Sequence, residues 1–255
     1  MSENKAIQIK KFLEDRVMLF TDLHIGIRTD SENWFKTALE YSEWIKQEAL
    51  KHNVNTLAFL GDFFHDREEI RITALDVADK FLANLKQFNI ILMVGNHDCL
   101  YKDNADIHSL SIFHKWSNIV VVDRLEVVEY MDKKIAFMPW GAKLEDIPDG
   151  LDYLFGHLEV ESFMKNKVKM CDHGFKSSDL LAKAKHVYSG HFHLRSRKKY
   201  ANGTITYVGN TFQQDWGDYE EEKGVELLTL STGASVFIPN TVSPRYVKVH
   251  LSKLL

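Results

Sequence analysis

The stretch Ile90-Ile91-Leu92-Met93-Val94-Gly95-Asn96-His97-Asp98 decides the fold, because an unbroken apolar run empties into a glycine and three polar residues. A run that is apolar at every position reads as a strand buried on both faces, the kind found in parallel sheets. Two earlier stretches have the same form: Arg16-Val17-Met18-Leu19-Phe20-Thr21-Asp22 and Thr56-Leu57-Ala58-Phe59-Leu60-Gly61-Asp62 each close on a carboxylate. Between them, Asp30 or Ser31 can cap a helix running to about Asn53, with Trp34, Ala38, Tyr41, Ile45 and Ala49 on one face. A second amphipathic helix follows through Leu75, Ala78, Phe81, Leu82 and Leu85. Strands separated by helices in this way describe parallel βαβ units whose carboxyl ends converge on one edge. The chemistry is expected along that edge.

Beyond Asp106 a third helix is expected, holding Ile107, Leu110, Ile112 and Phe113, and from Ile119 onward strands dominate. They are read at Val120 to Val122, Leu125 to Tyr130, Lys134 to Pro139, Tyr153 to Gly156, Val187 to Ser189, Thr204 to Val208, Val225 to Leu230, Ser235 to Ile238 and Tyr246 to Leu251. So many strands are hard to fit in one covered sheet; two sheets packed face to face, with helices outside, are the simpler solution. With 255 residues, no internal repeat and no Pro/Gly-rich linker, one domain spanning 1–255 is the default. A hydrophobic content of 45% and a charged content of 27% are ordinary globular values, and a net charge of −4 speaks against coating nucleic acid through bulk charge. Cys99 and Cys171 are too few for a disulfide framework, which fits a reducing compartment, and Cys99 reads as a packed thiol ahead of a nucleophile. No stretch approaches the roughly 20 apolar residues of a membrane span. Met1 to Asp15 is charged and lacks the apolar centre of a secretory signal, so a soluble, cytoplasmic protein is expected.

Five polar clusters sit at or just beyond strand ends: Asp22-Leu23-His24, Gly61-Asp62, Gly95-Asn96-His97-Asp98, Gly156-His157 and Gly190-His191-Phe192-His193. Carboxylate, amide oxygen and imidazole together suit intermediate divalent ions such as manganese, iron or zinc, and the lack of thiolates argues against structural zinc. Seven candidate ligands are too many for one ion. They suit two ions about 3.5–4 Å apart sharing a carboxylate, an arrangement that lowers the pKa of a shared water and neutralises phosphate charge during displacement at phosphorus. The glycines preceding four of the clusters are expected to supply backbone angles that other residues avoid. His97 has the chemistry to protonate or stabilise a leaving oxygen, and Asp98 either holds its ring or caps the following turn.

The order D-x-H, GD, GNHD, GH, GHxH, from about Val17 to Asn210, resembles the calcineurin-like metallophosphoesterases. The resemblance implies an α/β fold, a four-layer α/β/β/α sandwich of two mixed sheets. It implies one ion held by Asp22, His24, Asp62 and His193 and a second held by Asp62, Asn96, His157 and His191. Gly61-Asp62-Phe63-Phe64-His65-Asp66-Arg67 is similar to a segment of SbcD-type DNA repair nucleases, which implies that His65 approaches the substrate. Met138-Pro139-Trp140, Gly156-His157-Leu158-Glu159 and the segment from Tyr207 to Trp216 look like the phage recombination endonucleases of that group. These similarities imply a DNA nuclease of repair or recombination, exo- or endonucleolytic, using two divalent ions, expected to be Mn2+, as a homodimer with an SMC-like ATPase of SbcC type. The capping domain of such nucleases is expected to be absent or removed. A small-molecule or nucleotide phosphodiesterase on the same site is the alternative. For DNA contact Arg195, Arg197, Lys198 and Lys199 stand first, against a solvated hairpin reading; Lys165, Lys167 and Lys169 rank lower. Trp216 and Tyr219 either stack on a base or pack in a loop.

Overall fold

The apolar runs form parallel strands at the centre of a six-stranded sheet. The computed structural model describes residues 4–249. Its first half runs α1 (Lys5–Phe12), β1 (Arg16–Phe20), α2 (Ile27–Asp30), α3 (Glu32–Lys51), β2 (Thr56–Phe59), α4 (Ile72–Asn84), β3 (Asn89–Met93) and β4 (Ile119–Val122). The second half contains β5 (Glu126–Tyr130), β6 (Lys133–Met138), β7 (Leu151–His157), α5 (Ser177–Lys183), β8 (Ala184–Gly190), β9 (Ser196–Tyr200), β10 (Gly203–Tyr207), β11 (Gly224–Thr229) and β12 (Ser235–Pro239).

One sheet has the order β12-β11-β1-β2-β3-β4 and the other β5-β6-β7-β8-β10-β9. The first has an antiparallel edge at β12-β11-β1 and is parallel from β1 to β4, and the second has a parallel centre with both edges antiparallel, so both are mixed. Alternation along the strands explains why the runs are apolar throughout. Val17, Leu19, Ala58, Ile91 and Met93 point between the sheets, where they meet Phe137, Phe155 and Tyr188. Their neighbours Met18, Phe20, Leu57, Phe59 and Leu92 point outward to Tyr41 and Ile45 of α3 and to Ala78 and Phe81 of α4. Behind the second sheet, Leu180 and Leu181 of α5 cover Leu154, Val187 and Ile205, which completes the four layers.

Several elements differ from the sequence reading. The third helix is a 3-10 helix, Ser109–Lys115, short enough to bury only Leu110 and Phe113. The polar lead-in forms α1, whose Ile9, with Leu13 just past its end, enters the layer between the sheets. The basic segment after His193 forms strand β9, and α5 was not anticipated. The strand expected at Tyr246 to Leu251 does not form over 246–249, and His250 and Leu251 lie outside the described residues.

The glycines at the strand ends serve two needs. Gly61 does adopt a left-handed backbone, with φ of +102°. Gly95 and Gly190 do not; they are needed for space. A Cβ on Gly95 would lie 2.2 Å from the Asp62 amide nitrogen, and one on Gly190 would lie 2.1 Å from Thr21 Oγ1 and 2.6 Å from the Leu60 carbonyl. The end of β8 in the second sheet therefore presses directly on the ends of β1 and β2 in the first. Gly190→Ala should destabilise the fold by about 1–3 kcal/mol through overpacking, and a thermal unfolding midpoint equal to that of the parent would contradict this reading of the glycine.

Candidate metal centre

All seven predicted ligands lie where strand ends meet: Asp22 and His24 after β1, Asp62 after β2, Asn96 after β3, His157 closing β7, and His191 and His193 after β8. Four of them, Asp22, His24, Asp62 and His191, have positive φ, between 51° and 85°. Asp and His tolerate this region better than most side chains, and departure from the extended conformation re-aims successive side chains at a common point. The loops are tied together by main-chain bonds: Asp22 N–H donates to the Gly61 carbonyl, and the N–H groups of Leu23 and His24 both donate to the Asp62 carbonyl, at 3.0–3.1 Å.

The donor atoms fall into two groups. In the first, His24 Nε2 and His193 Nε2 are 3.1 Å apart, Asp22 Oδ1 is 3.9 Å from each, and Asp62 Oδ2 is 3.7 Å from His24. In the second, Asn96 Oδ1 lies 2.9 Å from His157 Nε2 and 2.7 Å from His191 Nδ1, and Asp62 Oδ2 is 3.3 Å from His157. Asp62 Oδ2 thus belongs to both. Its other oxygen, Oδ1, accepts the His97 main-chain N–H at 2.7 Å.

The chemistry of this donor set fits divalent cations. His157 Nδ1 lies 2.7 Å from the Leu60 carbonyl and Nε2 faces two oxygens, so the ring is bounded by acceptors on both sides. Burial pulls its pKa down, but the Asp62 carboxylate outweighs burial and raises it to about 9. A point that attracts a proton so strongly is one where a cation is favoured. His24 behaves oppositely: burial holds it well below its usual value, leaving a neutral ring with a lone pair to offer. Carboxylate, amide and imidazole donors without thiolate match intermediate divalent ions.

Asp98 does not hold the His97 ring. Its buried carboxylate caps the turns, accepting N–H groups from Asp62, Phe63, Phe64 and Gly95 at 2.9–3.0 Å. Burial and the adjacent Asp62 raise it to about 6 against the pull of those donors. The His97 ring is held instead by the His65 carbonyl, 2.6 Å from Nδ1, and stacks on the His65 ring at 5.5 Å. Cys99 packs with its thiol on the Gly95 carbonyl and is pushed up to about 12 by burial, so it is no nucleophile.

The basic segment is largely self-satisfied. Arg195 and Arg197 lie 3.0 and 3.7 Å from the buried Glu226, Arg197 also donates to Ser235, Lys198 donates to the Ser162 carbonyl, and Lys199 is exposed. Arg197 of β9 and Arg195 just before it reach Glu226 of β11 in the other sheet, a long-range pairing that local sequence does not disclose. Lys165 and Lys167, ranked lower from sequence, instead line a cavity of about 250 Å³ together with His191 and His193. On the opposite flank His65, His97, Arg67 and Arg71 line a cavity of about 490 Å³. Trp216 is 60% exposed and rests against Tyr246. Trp140 and Glu159 were missed as site residues: Trp140 packs 5.2 Å from the His191 ring, and Glu159 Oε1 lies 3.2 Å from His191 Nε2. Their only signal was their place in segments quoted above for likeness.

The family model for calcineurin-like phosphoesterases matches residues 15–195, a span that includes all seven donors. The chain belongs to the calcineurin-like phosphoesterase family. It is a metal-dependent phosphoesterase, a hydrolase. Among its relatives is exonuclease subunit 1 of Enterobacteria phage T4, 29% identical over 89% of this chain and 68% of that protein. Another is putative phosphoesterase 244L of Invertebrate iridescent virus 6, 24% identical over 73% of this chain and 68% of that one. The fold is shared with a dimetal phosphatase from Danio rerio, at a TM-score of 0.52 and 12% identity over 84% of this chain and 92% of that one. Among the described residues no helix is long and apolar enough to cross a membrane.

With Asp98 as a main-chain cap, Asp98→Asn leaves N–H donors facing an amide NH2. It should cost about 2–4 kcal/mol, read as a lowered denaturant midpoint; unaltered stability with a changed pH–rate profile would return Asp98 to the His97 ring.

Proposed function

We propose that this phosphoesterase is a DNA nuclease of the repair and recombination type, with residues 1–255 as a single nuclease domain working in the cytoplasm. The likeness to an exonuclease subunit over 89% of the chain supports this reading most directly. That relative's name, a numbered subunit, favours a partner, proposed here as an SMC-like ATPase of SbcC type, with the nuclease as a homodimer.

Asp22, His24, Asp62 and His193 would hold one divalent ion and Asp62, Asn96, His157 and His191 the other, with Mn2+ the proposed metal. Bound there, the ions supply an activated water and neutralise phosphate charge. The remaining groups are the protein's own. With Nδ1–H committed to the His65 carbonyl, His97 has Nε2 free to carry the proton delivered to the leaving oxygen. His65, stacked on it, screens that face from water and lines the same cavity. Lys165 and Lys167, which line one cavity with His191 and His193, are proposed to meet the backbone phosphates on the other flank, in place of Arg195 and Arg197, which line no cavity with the candidate ligands among the described residues.

End-labelled duplex and single-stranded DNA should be cut in manganese and left intact in EDTA. Asp62→Ala should abolish cutting and His97→Ala should lower it by about 10²–10⁴-fold. Lys165→Ala with Lys167→Ala should flatten the slope of log affinity against log salt by about two. Inertness toward every DNA, with turnover of a cyclic or dinucleotide, would replace the nuclease by a small-phosphodiester hydrolase.

A further inference from the structure

Glu159 stands two residues beyond His157, on the segment 159–175 that closes over the second sheet. Its carboxylate is fully engaged. Oε1 accepts from Lys165 Nζ at 2.9 Å and lies 3.2 Å from His191 Nε2, and Oε2 lies 3.3 Å from His173 Nε2. The backbone is equally constrained: Phe175 N–H donates to the Glu159 carbonyl and Glu161 N–H to the Phe175 carbonyl, at 2.8–2.9 Å. A Cβ on Gly174 would fall 2.3 Å from the Glu159 carbonyl oxygen, so the two ends of the segment are in backbone contact.

A neutral imidazole carries a single N–H. His191 has an oxygen beside each ring nitrogen, Asn96 Oδ1 at Nδ1 and Glu159 Oε1 at Nε2. If the proton sat on Nδ1, the Nε2 lone pair would face a carboxylate, acceptor against acceptor. If it sits on Nε2, it is bonded to the charged carboxylate of Glu159, the stronger acceptor, and the Nδ1 lone pair faces only the uncharged Asn96 Oδ1, a pair of donor atoms suited to a cation. Two of the other candidate imidazoles are treated differently: His157 has its outer nitrogen at the Leu60 carbonyl, and His24 Nδ1 has no hydrogen-bond partner among the described residues.

We propose that Glu159 is a positioning residue that fixes the tautomer and orientation of His191, and thereby sets the affinity of one cation subsite and not the other. The proposal rests on His191 being a ligand. A carboxylate on the outer N–H of a ligating imidazole raises its basicity, and loss of such a partner costs about 10–100-fold in metal affinity. The effect should be one-sided, because His24 and His193 make no contact with Glu159 among the described residues.

The test is titration of the metal-free chain with Mn2+ alone, followed by calorimetry and electron paramagnetic resonance, alongside imidazole ¹⁵N spectra of the metal-free protein. The parent should bind two ions, with the His191 proton on Nε2. Glu159→Ala should keep one ion at parental affinity, weaken the other by about 10–100-fold and mix the His191 tautomers. Glu159→Gln, whose carbonyl oxygen can still accept from Nε2–H, should rescue the tautomer and most of the affinity. His173→Ala, which frees the other oxygen of the same carboxylate, should leave both ions at parental affinity. Two ions bound to Glu159→Ala with parental affinities, or an unchanged tautomer, would overturn the role of Glu159. Fewer than two ions on the parent would instead overturn the ligand assignment beneath it, whatever the DNA assays give.

Discussion

The centre depends first on one buried carboxylate that is given over to main-chain N–H groups. Asp98 accepts three successive N–H groups of the loop after β2 and one from Gly95 after β3, so two strand ends are pinned to a single side chain. That clamp explains how Asp62 can be shared between two subsites. With its main chain held by Asp98 and its Oδ1 held by the His97 N–H, Asp62 has one oxygen fixed and one, Oδ2, presented to imidazoles on both sides. A carboxylate free to rotate would divide itself between the two and serve each poorly.

The cost of this arrangement is visible in the backbone and in the charge. Four of the seven donors take a left-handed conformation, each a local strain, and the two carboxylates and four imidazoles are buried or partly buried. The fold offsets those costs around the site. Val94, Phe63 and Phe64 are packed beneath it in a core continuous with α3 and α4, and the close approach at Gly61, Gly95 and Gly190 leaves no room for a Cβ at the junction. The site therefore rests on an apolar floor.

Much of this was legible in the chain. The parallel strands, both long helices and the two-sheet architecture follow from runs apolar at every position and from three- to four-residue spacing, which are local signals. The seven donors were found from their order along the chain and their places at strand ends. What failed to appear has a common cause in partners distant in sequence. Arg195 and Arg197 look like free cations until Glu226, about thirty residues on, is placed beside them. Asp98 adjoins His97 in sequence, yet its carboxylate is directed at a loop some 35 residues earlier. The glycines read as turn formers, but for Gly95 and Gly190 the need arises from another strand's backbone. The helix α1 shows little amphipathic pattern of its own and is set by two apolar residues entering an existing core.

The division of donors between the sheets gives the site a structural consequence of its own. Asp22, His24, Asp62 and Asn96 come from the first sheet and His157, His191 and His193 from the second. With the ligand sets proposed above, neither ion can be bound by one sheet alone, since each takes at least one imidazole from the second sheet and a carboxylate from the first. Cation binding is then coupled to the register in which the sheets meet, and any free energy of binding adds to the stability of that junction through linkage. The close approach of Gly190 to the Leu60 carbonyl fixes the same junction through the protein's own backbone.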